Sequence, residues 1–347
     1  MTTILTLYNH KGGVSKTTTT FNLGHAIAEK YEVKVLLVDA DPQCNLTELA
    51  LSPVIEKLDS EAQKTGKENK LPGSTILDAL GPRFAGDRST VDVDAIELVP
   101  INGSDDRVFL FRGDIALSQA EDTLSQAHSM RTSNEIHQKR NYVAFHDMLR
   151  RLGAKHGFSH ILVDVGPSAG ALTRTCFLAA DMFVVPVFPD RFNHQAIGSL
   201  SKIIAKWVEE NSTIVADFQK LGLNVASGCP QFRGLIVQRF QKYRNEPKPA
   251  FGHWIKLIPE RVKAELLPSL VEATHNKEVV ADYCWNDPII AQIADFASLG
   301  PMMLTSGKAV WKLTQGDTGW AGTVWTERSE KMQEFRSLFF DIADKVK

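Results

Sequence analysis

Short apolar runs alternate along the chain with longer stretches in which apolar residues return every three or four positions. Ile4 to Tyr8 reads as a strand, and Phe21, Leu23, Ala26 and Ile27 set a helical period over Thr19 to Lys30. Val33 to Val38, Ile161 to Val165 and Asp181 to Val187 are nearly continuous apolar sequence, the mark of strands covered on both faces of a parallel sheet. Ile115 to Ala127, Ile136 to Leu152 and Asn193 to Glu210 read as helices, and Gly234 to Phe240 and Ile289 to Ile293 as later strands. Ser298 to Pro301 reads as a turn into a helix ending at Ser306-Gly307.

The pattern is weaker between these segments. Leu46 onward is helical at first, but Asp59 to Lys70 lacks an apolar period and reads as a solvated helix end and loop. Thr75 to Leu80 suggests a short helix, and Ile96 to Ile101 and Val108 to Phe111 suggest strands. Near the end, Met332, Phe335, Leu338, Phe339, Ile342 and Val346 form one apolar stripe. The opposite face mixes Glu334, Arg336, Asp341, Asp344 and Lys345, so packing against the sheet is expected rather than adsorption to a membrane.

With 347 residues, 43% hydrophobic and 23% charged, the chain can bury a large core. The formal charge of −2 restricts any nucleic-acid contact to a local patch. Cys44, Cys176, Cys229 and Cys284 are far apart in sequence, which argues against a disulfide framework or structural zinc and suits a reducing cytoplasm. The first residues enter a strand without the pattern of a signal peptide, and Phe177 to Phe188 is too short to span a bilayer.

Candidate chemistry gathers where strands end. Asn9 to Thr18 joins the first strand to the first helix through Gly12-Gly13, a geometry that aims backbone N–H groups and a helix N-terminus at one spot, as a polyphosphate requires. Lys16 supplies a charge for the β- and γ-phosphates, and the Thr17 hydroxyl can ligate a bridging magnesium ion. The strict phosphate-loop pattern wants glycine six residues before the lysine and again directly before it. Those places hold His10 and Ser15, and a serine excludes a glycine-only backbone conformation. The second strand ends in Asp39-Ala40-Asp41-Pro42-Gln43, and Ile161 to Asp164 leads into Val165-Gly166-Pro167-Ser168. Both ends should face the crevice that holds the loop, where Asp164 can accept hydrogen bonds from magnesium-bound water.

These motifs together resemble the ParA/MinD family of ATPases, whose variant loop reads Lys-Gly-Gly-X-Gly-Lys-Thr and opens on a signature lysine, the place of Lys11 here. The resemblance is specific over residues 1 to 50 and 158 to 192. It implies an α/β fold, a doubly wound, mostly parallel sheet with helices on both faces. On that reading residues 1–347 form one enlarged domain, with 52–141 as an unassigned intervening segment and 312–347 as a C-terminal helical extension. It further implies an ATP-binding set of Lys11, Gly12, Gly13, Val14, Ser15, Lys16, Thr17 and Thr18, with Gln238 where relatives carry an adenine-reading asparagine. Thr17, Asp39 and Asp164 would serve magnesium, Asp41 would orient the attacking water, and Gly166 would sense the γ-phosphate. Lys11 would act beside Lys16 and Asp41 in catalysis by reaching the phosphates of a second copy in a homodimer.

The family's role in plasmid or chromosome partition implies non-specific DNA binding and a hydrolysis-stimulating partner, ParB-like or another cargo adaptor. Arg239, Lys242, Arg244 and Lys248 are the candidate DNA contacts, in a stretch that continues to Lys256, Arg261 and Lys263 with Phe240, Tyr243, Phe251 and Trp254 interleaved. The expected location is the cytoplasm, at the nucleoid if DNA binds. A MinD-like membrane cycle and an ATPase positioning another cargo are the alternatives, and no stable membrane anchoring is expected. An iron-protein-like reductase is disfavoured, because Ser168 stands where a cluster cysteine would be needed.

Overall fold

The computed structural model describes residues 2–67, 70–243 and 246–347. The first part comprises β1 (Thr3–Leu7), α1 (Lys16–Tyr31), β2 (Val35–Asp39), α2 (Asn45–Thr65) and α3 (Ile76–Ala85). Next come β3 (Val99–Pro100), β4 (Val108–Phe111), α4 (Ala120–Ser129), α5 (Ile136–His156), β5 (His160–Asp164), α6 (Ala171–Ala179), β6 (Met182–Val187), α7 (Arg191–Ser212) and α8 (Val215–Lys220). The last part holds β7 (Gln231–Phe240), the short pair β8 (Lys242–Tyr243) and β9 (Glu246–Pro247), α9 (Pro249–Arg261) and α10 (Leu267–Thr274). β10 (Ile289–Ala294), α11 (Leu299–Ser306), α12 (Gln315–Thr318) and α13 (Gly322–Lys345) complete it.

Eight strands form one sheet in the order β10-β7-β6-β1-β5-β2-β4-β3, parallel except for β3. Alternate residues feed two cores. Ile4, Leu36, Val38, Ile161 and Val163 pack under α3 to α7, α9 and α10. Leu5, Leu7, Val35, Leu37 and Leu162 pack under α1, α2, α11 and α13. The sheet is thus doubly wound, with helices on both faces. Its register lines up Leu7, Asp164 and Asp39 across β1, β5 and β2, so the two acids end neighbouring strands at the same height. β1 leads to β2 on one side and β5 leads to β6 on the other, which makes this the topological switch point where open sheets place ligands.

Three segments differ from the sequence expectation. α2 runs unbroken to Thr65, so Asp59 to Thr65 is helical rather than loop. Only Leu46, Thr47, Leu49, Ala50 and Leu51 of that helix are buried; beyond the partly covered Ile55 and Leu58 its far half rests on good helix formers such as Glu61, Ala62, Gln63 and Lys64. Ile96 to Ile101 yields just Val99–Pro100, an edge strand where proline is tolerated. Ile115 to Ala127 divides into a 3-10 turn over Ile115–Gln119 and α4.

The apolar stripe of α13 is buried: Met332, Phe335, Phe339 and Ile342 join the α1 side of the core. Glu29 of α1 accepts from Trp311 and Arg336, and Asp344 of α13 pairs with Lys30. Within the segment 52–141, β3 and β4 extend the sheet beside β2 and α3 to α5 cover one face. Among the described residues, no helix is long and apolar enough to cross a membrane.

Candidate functional site

β1 ends at the switch point, and the chain turns there because Asn9 holds both sides of the turn. Its Nδ2 donates to the Pro186 carbonyl at 2.9 Å, and its Oδ1 accepts from the Lys11 N–H at 3.0 Å. Gly13 and Ser15 both take left-handed conformations, with φ of 72° and 55°. Ser15 therefore adopts a backbone that favours glycine but that an L-residue can still reach, and it caps α1 without a side-chain hydrogen bond. Lys16 curls back beneath the loop. Its Nζ donates to the carbonyls of Asn9 (3.2 Å) and Lys11 (3.4 Å), and the residue is buried. Burial holds its pKa below the usual lysine value, opposed by the carboxylates of Asp164 and Asp41. The Lys11 ammonium stands 5.7 Å from the centre of the exposed Phe192 ring.

The three strand-end acids meet the loop differently. Thr17 Oγ1 donates to Asp164 Oδ2 at 2.6 Å, whereas the buried Oδ1 has no partner among the described residues. Burial, with Asp39 close by, pushes the Asp164 pKa up to about 8, against the pull of the Thr17 hydroxyl and Lys16. Asp39 Oδ2 accepts from the Thr47 N–H at 2.7 Å and the Thr47 hydroxyl at 2.6 Å, which ties β2 to the first turn of α2. Burial raises Asp39 to about 6. Thr47 Oγ1 also accepts from the Gly113 N–H at 2.9 Å, and a Cβ on Gly113 would lie only 2.9 Å from the Asp39 carbonyl oxygen. Asp41 Oδ1 accepts from the Gln43 N–H at 3.0 Å, and a Cβ on Gly166 would stand 3.1 Å from that oxygen. Asn9, Thr47 and Gly113 went unnoticed in the sequence, where only the Asn-X-X-Gly order hinted at the first.

A cavity of about 940 Å³ opens over the loop, walled by Asp41, Pro167, Arg239 and the exposed face of α2. A smaller one of about 340 Å³ adjoins it at Ser15, Thr18 and Arg239 and reaches Gln238. Gln238 is buried; its Oε1 accepts from Thr19 at 2.8 Å, and its Nε2 has no partner among the described residues. Among the described residues, no group of three or more His, Cys, Asp or Glu side chains could cage a metal ion. A divalent ion could still fit beside Thr17 and the unpartnered oxygen of Asp164 if an anion and water supplied the remaining oxygens.

The basic stretch is less free than its composition suggests. Arg239 turns to the loop and donates to the Gly13 carbonyl at 2.9 Å. Lys248 is exposed and donates to Gln241 at 2.5 Å. Arg261 pairs with Glu265 and Lys263 with Glu260. Phe240 is core, and Phe251 packs edge-on against Phe188, so neither ring offers a platform for a base. Lys242 and Tyr243 belong to β8, and Arg244 lies outside the described residues.

Comparison with known proteins agrees with this geometry. The family model described as "AAA domain" matches residues 2–216. The chain is 30% identical over 203 residues to the chromosome partitioning protein ParA of Caulobacter vibrioides, covering 58% of this chain and 62% of that relative, or about three fifths of its length. It is 30% identical over 279 residues to the sporulation initiation inhibitor protein Soj of Bacillus subtilis, covering 80% of this chain and 90% of that one. A crystal structure of a Corynebacterium diphtheriae protein superposes with a TM-score of 0.65 at 22% identity, over 88% of this chain and 97% of that one, a likeness of fold. By loop, strand-end acids and these relatives, the chain belongs to the ParA/MinD family of P-loop ATPases.

Proposed function

We propose that this protein is a magnesium-dependent ATPase that closes as a dimer around two ATP molecules, binds non-specific DNA in that state and acts in plasmid or chromosome partition. The observation that carries the reading is the Thr17 hydroxyl on Asp164 directly beside the buried Lys16. In this scheme the loop N–H groups and the α1 N-terminus receive the phosphates, and Lys16 neutralises charge on the β- and γ-oxygens. Magnesium would draw off phosphate charge, with Thr17 as its ligand and Asp164, backed by Asp39, accepting from its water shell. Asp41, held against Gly166 and the Gln43 N–H, orients the attacking water. Lys11 reaches the neighbour's phosphates, and Gln238 reads the base.

The whole chain acts as one enlarged domain in this reading, since the segment 52–141 and α13 feed the same sheet and cores. DNA contact falls to Lys242, Arg244 and Lys248, and would hold the dimer at the nucleoid. Partition is supported by the similarity to the chromosome partitioning protein ParA of Caulobacter vibrioides. A cargo-bound partner, ParB-like or another adaptor, would speed hydrolysis and release the dimer. A membrane cycle finds less support, because the apolar stripe of α13 is already spent on the core.

The test uses the full chain with Asp41→Ala to block turnover. Light scattering should show a doubled mass with ATP and magnesium but not with ADP, and duplex DNA should be retained by that species alone. A chain that remains monomeric under these conditions overturns the reading.

A further inference from the structure

The pairing of β7 with β10 slips at one point. Gln238 stands opposite Ile293 and Phe240 opposite Ala294, which leaves Arg239 as the extra residue of a β-bulge. Its φ is +61°, a left-handed conformation that costs any residue with a Cβ. Bulges beside functional sites commonly serve to re-aim one side chain. Here Gln238 and Phe240 on either side are buried, whereas Arg239 leaves the ladder and its Nη1 meets the Gly13 carbonyl at 2.9 Å. Gly13 is itself left-handed, a conformation glycine adopts without strain, so the strained Arg239 backbone faces a relaxed loop glycine across this one hydrogen bond.

The guanidinium is placed for more than this contact. It lines both the cavity over the loop and the adjoining one that reaches Gln238, at the point where the two meet. Among the described residues it forms no ion pair, and the Gly13 carbonyl is its one hydrogen-bond acceptor. An arginine carries five N–H donors in a planar fork, so most remain free. A neutral carbonyl is also a weaker acceptor than a phosphate oxygen, to which arginine bonds with charge assistance and often in pairs.

We propose that Arg239 is a nucleotide-phosphate ligand delivered in cis by the β7 bulge, exchanging the Gly13 carbonyl for phosphate oxygens when ATP binds. The inference rests on the nucleotide reading above and names one more residue of that site. It also removes Arg239 from the candidate DNA contacts. The exchange frees the Gly13 carbonyl, so the loop itself is coupled to whether a polyphosphate is present.

Calorimetric titration of the full chain with Mg-ATP and with Mg-ADP tests this, comparing wild type with Arg239→Ala, Arg239→Lys and Lys248→Ala. Arg239→Ala should weaken Mg-ATP binding by roughly tenfold or more, as expected for a lost charge-assisted bond. Arg239→Lys should recover part of that loss, and Lys248→Ala should bind Mg-ATP as wild type does. The melting temperature without nucleotide should be unchanged in Arg239→Ala, because the side chain is exposed. Wild-type Mg-ATP affinity in Arg239→Ala, or retained affinity with lost duplex-DNA retention, overturns the proposal. Failure of the wild type itself to take up Mg-ATP would instead bring down the nucleotide reading on which it rests.

Discussion

The hydroxyl of Thr17 donates to Oδ2 of Asp164 at 2.6 Å, joining the first residues of α1 to the end of β5 across 147 positions of sequence. Among the described residues that hydroxyl is the one side-chain donor on a carboxylate that is fully buried and close to Asp39. Thr17→Val keeps the shape and removes the donor. ATP turnover should fall on the order of a hundredfold, the scale seen when one positioned polar group is removed from a reacting site. Turnover should also cease to rise with added magnesium. Phosphate release measured across a magnesium series checks both, and a wild-type magnesium response in Thr17→Val removes Thr17 as the ion's ligand.

Lys16 and Asp41 separate binding from cleavage. Lys16 lies beneath the loop with its ammonium on two loop carbonyls, so Lys16→Ala takes away the charge that receives the phosphates. Asp41 lines the cavity against Gly166, and Asp41→Ala leaves the loop intact. The first variant should lose ATP binding and every ATP-dependent assembly. The second should bind ATP near the wild-type level while turnover falls by about 10² or more. Full turnover in Asp41→Ala would assign the water to another group.

What could be read in the sequence was what is local in it. The loop, Lys16 and Thr17 lie within ten residues, and each strand-end acid follows a continuous apolar run, so β1, β2 and β5 were legible together with the residues that gather at their ends. The far half of α2 was not, because a helical stretch with no buried residue has no apolar period to display. Thr47 and Gly113 were hidden for another reason. Thr47 bonds Asp39 from the first turn of α2, outside the Asp-X-Asp-Pro run, and Gly113 bonds Thr47 only once β4 has paired beside β2. Arg239 shows the limit most sharply: counting charges put it in a basic patch, and a one-residue slip in the β7 register turned it to the loop instead.

Ser15 offers a test of the loop's unusual sequence. Its φ of 55° and ψ of 36° cost an L-residue roughly 1–2 kcal/mol, while glycine pays roughly 0.5–1 kcal/mol in unfolded-chain entropy. Ser15→Gly should therefore leave stability unchanged or raise it by up to about 1.5 kcal/mol, and ATP binding should persist. Urea unfolding compared with wild type measures the first. A clear loss of stability would mean that the serine side chain supports the loop in a way its lack of a capping bond does not suggest.

Acid should weaken the fold through a histidine far from the site chemistry. His25 of α1 is fully buried against Phe21, with no partner on either ring nitrogen among the described residues. Burial, with the positive charge of Lys312 next in weight, lowers its pKa to about 3 despite Glu29. Below the ordinary histidine value of 6.5 the unfolded chain accepts a proton that the folded chain refuses, so stability falls as pH drops from there towards 3. The slope from this residue alone is on the order of 1 kcal/mol per pH unit. His128 and His160 are depressed in the same direction by burial, to about 3 and about 4, and add to the loss. His25→Leu should keep or raise stability at pH 7, since two unpartnered nitrogens leave the core, and should narrow the gap between pH 7 and pH 5. Urea midpoints at the two pH values decide it: an unchanged gap in His25→Leu would show that the buried ring is not what refuses the proton.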